Sequence, residues 1–175
     1  MDALADADRI FEQVAALSPG LGRDEFDALA RGVTADLRNH SNVIRRYLFL
    51  DRARLATLGD EGALGRHWTV DASDMSLDAL LVPPEADSTW KVYEVEAWID
   101  GVLPVDLVAT IATRRDLPWE REIVLLPEAE VTVRSVRVFD EAERRPTFHT
   151  RQDLVGRRLH AAAPEGQAPA AGVPS

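Results

Sequence analysis

The chain has 175 residues, 46% of them apolar and 29% charged, with 30 acidic against 20 basic side chains for a formal charge of −10. That length fits one domain with one core, and the composition is that of an ordered globular protein. No apolar run nears the ~18 residues needed to cross a bilayer, and so acidic a chain is poorly suited to gripping a phosphate backbone, so neither membrane insertion nor nucleic-acid binding is expected.

Cysteine is absent, which removes disulfides, thiolate metal sites and a cysteine nucleophile. The first residues, MDALADADRIFEQ, are acidic where a secretory leader is basic and then apolar. A cytoplasmic location is the expectation. Lys91 is the only lysine, so nearly all the positive charge is arginine.

Residues 5–17 place Ile10, Phe11, Val14, Ala15 and Leu17 at helical spacing, and Ser18-Pro19-Gly20 stops that helix. Residues 23–39 predict a second amphipathic helix through Phe26, Leu29, Val33 and Leu37, with Asp24 and Glu25 in its first turn and Arg38 in its last. VIRRYLFL (43–50) has the composition and length of a strand. RARLATLG (52–59) predicts a short helix, GRHWTVD (65–71) a short strand, and the stretch around Met75–Leu81 a brief helix or loop broken by Pro83-Pro84. EADST is a solvated loop. In WKVYEVEAWI (90–99), Val92, Glu94, Glu96 and Trp98 alternate with Lys91, Tyr93, Val95, Ala97 and Ile99.

Residues 105–115 predict a short strand or helical turn carrying Arg114-Arg115. EREIVLLP (120–127) is a strand, and EVTVRSVRVF (130–139) another, with Val131, Val133, Ser135 and Arg137 on one face. DEAERRP (140–146) is a solvated turn. From Ala161 the chain is rich in Ala, Pro and Gly, which predicts a disordered tail over 161–175 behind a single domain of residues 1–160. Helices precede strands without βαβ alternation, so the fold class is α+β, a helical layer (5–39) on a mainly antiparallel sheet core (43–140).

The sharpest local feature is Glu120-Arg121-Glu122 ahead of Ile123-Val124-Leu125-Leu126-Pro127. Side chains two apart on a strand share a face, so both carboxylates sit together at the mouth of a strand that is then apolar on both faces. A carboxylate there is costly to bury unless it is paired or used. The plainer alternative is two surface acids ahead of a core strand.

EREIVLLPEAEVTVRSV resembles the late part of ADP-ribosyltransferase domains, where a Glu-x-Glu or Gln-x-Glu pair precedes such a strand. Gly65-Arg66-His67-Trp68-Thr69 resembles the Gly-x-His-Trp-Thr form of that family's Ser/Thr block, seen in bacterial and phage-like members, and the strand 90–99 falls between the two blocks. The resemblance covers residues 43–140. It implies a split antiparallel sheet and NAD as substrate, with ADP-ribose passed to a protein or small-molecule acceptor. It further implies Glu122 on the ribose, Glu120 as general base toward the acceptor, Thr69 bracing Glu122 or the ribose, and His67 and Trp68 bordering the dinucleotide.

The family's first strand carries a Tyr-Arg pair, whereas this one reads Arg45-Arg46-Tyr47 and lacks the following glycine. Arg46 is the first candidate for the phosphate contact and Arg52 the second, each with a surface arginine as the alternative. His67-Trp68 is open between a ligand-facing pair and a core tryptophan beside a satisfied histidine. Trp90, Trp98 and Trp119 read as core or rim residues.

His40, His67, His149 and His160 show no metal-ligand spacing, and no phosphate loop or nucleophile elbow is present. No metal is expected. Besides the enzyme, two readings stay open: a catalytically inactive binding or assembly module of the same fold, of the kind phages encode, and an unrelated α+β domain in which EREIVLLP is only a core strand.

Overall fold

The elements run, in chain order, α1 (Ala3–Leu17), α2 (Arg23–Asn39), β1 (Val43–Leu50), α3 (Arg52–Ala56), β2 (His67–Thr69), β3 (Lys91–Trp98), α4 (Leu107–Asp116), β4 (Glu122–Val124), β5 (Glu130–Asp140), β6 (Arg145–Thr150) and β7 (Arg158–His160). The structure, a computed structural model, describes residues 3–70, 84–118 and 121–162. The segment expected as a helix or loop at 75–81, Trp119, Glu120 and the expected tail from 163 onwards lie outside the described residues, but Ala161, expected as the first residue of that tail, is buried in the core and donates its N–H to the Ala129 carbonyl at 3.0 Å. Among the described residues, no helix is long and apolar enough to cross a membrane.

The strands form one curled antiparallel sheet in the order β4-β2-β1-β3-β5-β6, with β7 also on β5. The α+β class and the antiparallel pairing agree with the sequence. The expected split does not occur among the described residues, because β1 pairs along its whole length with β3 and also carries β2, so the ladder is continuous. One face of this sheet is the main core. It gathers Ile44 and Leu50 of β1, Trp68 of β2, Tyr93, Val95 and Ala97 of β3, Ile123 of β4 and Val131, Val133 and Val136 of β5, all buried.

Two elements needed the structure to settle them. For residues 105–115, expected as a short strand or a helical turn, the structure takes helix over 107–116: Asp106 accepts the Ala109 N–H at 3.1 Å as an N-cap, and its other oxygen pairs with Arg66 at 2.9 Å. A carboxylate that caps one element and ties down another selects helix where the apolar pattern alone is ambiguous. In β5 the strict alternation breaks. The register with β3 shifts between Glu96 and Ala97, an irregularity that a bulge produces. Val131 and Val133 therefore share the core with Val136, while Ser135 and Arg137, expected beside the first two, turn to the opposite face, where they pair with Glu96 and Glu94.

The helical layer comprises three helices. Phe11 of α1 meets Phe26 of α2 edge-on at 5.4 Å, and Val14, Leu21 and Phe26 pack on Ile111 of α4. Helix α2 reaches the main core through Val33 and Leu37. The turn from α2 into β1 uses Ser41 and Asn42 at φ of 56° and 60°. Asn tolerates this left-handed region better than most residues, and the turn closes on an Asn42 N–H donated to the Leu37 carbonyl at 2.7 Å.

Candidate functional site

The face of the sheet opposite the core is polar, and its side chains fall into register. In an antiparallel pair, facing residues project on the same side. Glu122 pairs with Thr69, Thr69 with the next strand's Arg45, Arg45 with Glu96, and Glu96 with Ser135. A row of polar groups thus crosses β4, β2, β1, β3 and β5. The Arg45 guanidinium lies 3.1 Å from Glu96 and donates to the Val70 carbonyl at 3.3 Å.

At the β4 end, Glu122 is diagonal to His67 and accepts from its Nδ1 at 2.5 Å. The carboxylate is 18% exposed and the imidazole 52%, so the histidine forms the outer lip and the glutamate the inner wall. Thr69 beside them is 7% exposed. An ionised carboxylate only accepts, so the neutral ring carries its hydrogen on Nδ1 and keeps the Nε2 lone pair. Among the described residues the second carboxylate oxygen of Glu122 accepts no side-chain hydrogen bond.

Strand β4 is short and would be a free edge, yet helix α4 completes it. The Thr110 hydroxyl accepts the Val124 N–H at 3.0 Å and faces the Val124 carbonyl at 3.3 Å. One turn later Arg114 donates to the carbonyls of Glu122 (2.9 Å) and Arg121 (3.3 Å), and to Asp36 of α2 at 2.6 Å. Residues four apart share a helix face, so α4 offers β4 a ladder of side chains in place of a neighbouring strand. Arg121 itself takes φ 45°, and the arginine fork holds its carbonyl where that turn needs it. Sequence reasoning missed Thr110 and Arg114; the one available signal was a basic pair on a segment read as half strand.

Of the residues expected in the site, the structure brings together Glu122, Thr69 and His67. It does not bring Trp68 or Arg46 to that face. Trp68 is buried in the core with its indole N–H donated to the Gly65 carbonyl at 2.9 Å, so the core reading of this tryptophan is the one the structure takes. Arg46 lies on the core side of β1 and donates to the His67 carbonyl at 3.2 Å. Burial lowers its guanidinium to about 10, with the Glu122 charge opposing, and it remains a cation at neutral pH. Arg52 is exposed at the start of α3, at the far end of β1 from Thr69. Of the two neighbouring β1 arginines, Arg45 is the one on the polar face. A one-residue step along a strand changes sides, and composition cannot choose between adjacent arginines without the register.

The glycine of the GRHWT block has a double reason. Gly65 sits at φ +74°, and a Cβ built on it would lie 2.3 Å from the Arg46 guanidinium. Gly65→Ala is expected to cost about 1–2 kcal/mol from the left-handed backbone alone, plus the displacement of Arg46, and to loosen the turn that carries His67. Urea unfolding checks this, and an unchanged midpoint would show that the turn relaxes freely.

Further along the same face, Glu94 is 2% exposed and accepts from the Tyr47 hydroxyl at 2.7 Å and from Arg137 at 2.6 Å. Among the described residues, Ser135 Oγ and Arg137 Nε are buried beside this group with no hydrogen-bond partner. Burial, and then the hydrogen bond to Glu94, push the Tyr47 hydroxyl above its ordinary value. The unfolded chain gives up that proton near pH ~10 while the folded chain holds it. The stability from this bond is therefore fully present below pH ~10 and is lost as pH rises beyond it.

Tyr47→Phe is expected to cost about 1.5–3 kcal/mol at neutral pH, the worth of a hydrogen bond to a charged group, and the gap to the parent should narrow above pH ~10. Arg46 contributes with the opposite sign in that window, but equally in both proteins. Denaturant titrations at neutral and alkaline pH measure the gap, and a constant gap would contradict the assignment. Compared with family models, curated proteins and solved structures, the chain matches none.

Proposed function

We propose that the chain is an ADP-ribosyltransferase-like enzyme that cleaves NAD and passes ADP-ribose to a protein or small-molecule acceptor. The observation that carries the reading is the register row Glu122–Thr69–Arg45 across β4, β2 and β1. It gathers a carboxylate, a hydroxyl and a guanidinium on one face, an acceptor for ribose hydroxyls beside donors for the sugar and a diphosphate. The α+β class and the antiparallel pairing support the reading, although the sheet is continuous where the resemblance implies a split one.

Cleaving the bond between C1′ and the nicotinamide nitrogen develops positive charge on the sugar, while the electron pair goes to the pyridine ring. A fixed anion beside C1′ stabilises that charge, and Glu122 is placed to supply it while its second oxygen holds the ribose 2′-hydroxyl. Thr69, across the ladder, adds a hydroxyl to the same sugar. Arg45 replaces Arg46 as the candidate phosphate contact. Its pairing with Glu96 means that a diphosphate competes with a carboxylate already in place, which favours binding of modest affinity. The resemblance gives Glu120 both the orienting and the deprotonating of the acceptor; only the orienting is proposed for it here, from the resemblance alone.

Incubation with NAD labelled in the nicotinamide, and separately in the adenine, tests the reading. Free nicotinamide should accumulate with time, and adenine label should appear as ADP-ribose or on an acceptor. No release at millimolar NAD would remove the enzyme and leave the inactive module of the same fold and the unrelated α+β domain.

A further inference from the structure

His67 is the one side chain of the row that faces solvent and also has its tautomer set from behind. Its Nδ1 is held by Glu122 at 2.5 Å, and its imidazole is 52% exposed. The backbone that carries it is fastened on three sides. Arg46 donates to its carbonyl at 3.2 Å, Trp68 is locked to Gly65 at 2.9 Å, and Arg66 donates to the Leu125 carbonyl at 2.7 Å while pairing with Asp106. A ring so held presents a lone pair at a fixed place beside Glu122. Anchoring of this kind is not needed for a solvent-exposed histidine with only a packing role.

We infer that His67 is a catalytic base whose Nε2 takes the proton of the group attacking the ribose, an assignment that rests on the NAD reading for its substrate. The step balances. The C1′–N bond breaks and its electron pair neutralises the pyridinium of the leaving nicotinamide. The hydroxyl, guanidinium or water nucleophile forms the new bond to C1′. Its proton passes to Nε2 and then to solvent. Glu122 acts on both partners, one oxygen orienting the base and the other facing the sugar. The charged groups nearest the ring in the ladder are Glu122 on β4, Arg45 and Arg46 on β1, and the flanking Arg66 and Arg121, and Glu122 is the one hydrogen-bonded to the imidazole.

The test uses the full chain and His67→Asn, because the asparagine amide N–H can stand in for Nδ1–H and keep Glu122 in place while the base is lost. With water as nucleophile, nicotinamide release should fall about 100-fold, at the low end of what a positioned base contributes. Azide has no proton to lose, so it should restore release in His67→Asn, with the sugar azide as product, and should not do so in Glu122→Gln. Equal rates of His67→Asn and parent with water, or no azide rescue, would overturn the assignment.

If the parent releases no nicotinamide at all, the NAD reading falls, and the nitrogen chemical shifts of the His67 ring decide the proton-acceptor assignment by themselves. A neutral ring protonated on Nδ1 supports it, and one protonated on Nε2 overturns it.

Discussion

Glu122→Gln is expected to lower NAD cleavage by about 100-fold or more, on the order of 3 kcal/mol of transition-state stabilisation. The substitution is a clean probe because of the contact behind it. The amide oxygen can still accept from His67 Nδ1, so the imidazole keeps its orientation and the β4–β2 register is undisturbed. What is lost is the charge. Folding should change little, since a half-buried carboxylate is costly to desolvate and the amide less so. Nicotinamide release at saturating NAD measures the effect, with circular dichroism as the control for fold. Full activity in Glu122→Gln would take the charge stabilisation away from Glu122, and a loss of stability with no activity to lose would make Glu122 a structural partner of His67 and hand the site to the inactive-module or unrelated-domain reading.

Arg114→Met should give the largest loss of stability of any single substitution considered. The arginine is 6% exposed and closes four relations at once: the pair with Asp36, the carbonyls of Arg121 and Glu122, and packing between α2, α4 and the sheet. Breaking one side of a buried pair strands the other charge and costs roughly 3–5 kcal/mol. Asp36 retains some access to water, so the lower end, about 3 kcal/mol, is expected. For a chain of this size that corresponds to a fall in Tm of roughly 6–12 °C. Arg114→Lys keeps a cation for Asp36 but lacks the planar fork for the two carbonyls. It should recover part of the stability while leaving β4 loosely held. A methionine variant as stable as the parent would show that water replaces the fork without cost.

The chain alone determined its class and much of its layout. Helices α1 and α2, strands β1, β3 and β5 and the loop at 84–89 follow from periods of 3.6 and 2, because each buries one face and the pattern of burial is written locally. Sequence also isolated Glu122, as a carboxylate ahead of an apolar strand, whereas Thr69 and His67 were singled out only by the resemblance of the GRHWT block. Strands β6 and β7 were not legible. RPTFHT and RLH are short and lie where most residues stay partly exposed, so no apolar face marks them.

Only the tertiary structure could decide which arginine joins the site. Arg45 and Arg46 are chemically identical neighbours, and the choice between them is the pairing of Arg45 with Thr69, a relation between residues distant along the chain. The same holds for Ser135 and Arg137, which a register shift between strands moves off the core face, and for Arg114, whose partners come from α2 and β4. Periodicity reports what one segment would bury by itself. Register, bulges and edge completion depend on two segments meeting, and one segment read alone does not contain them.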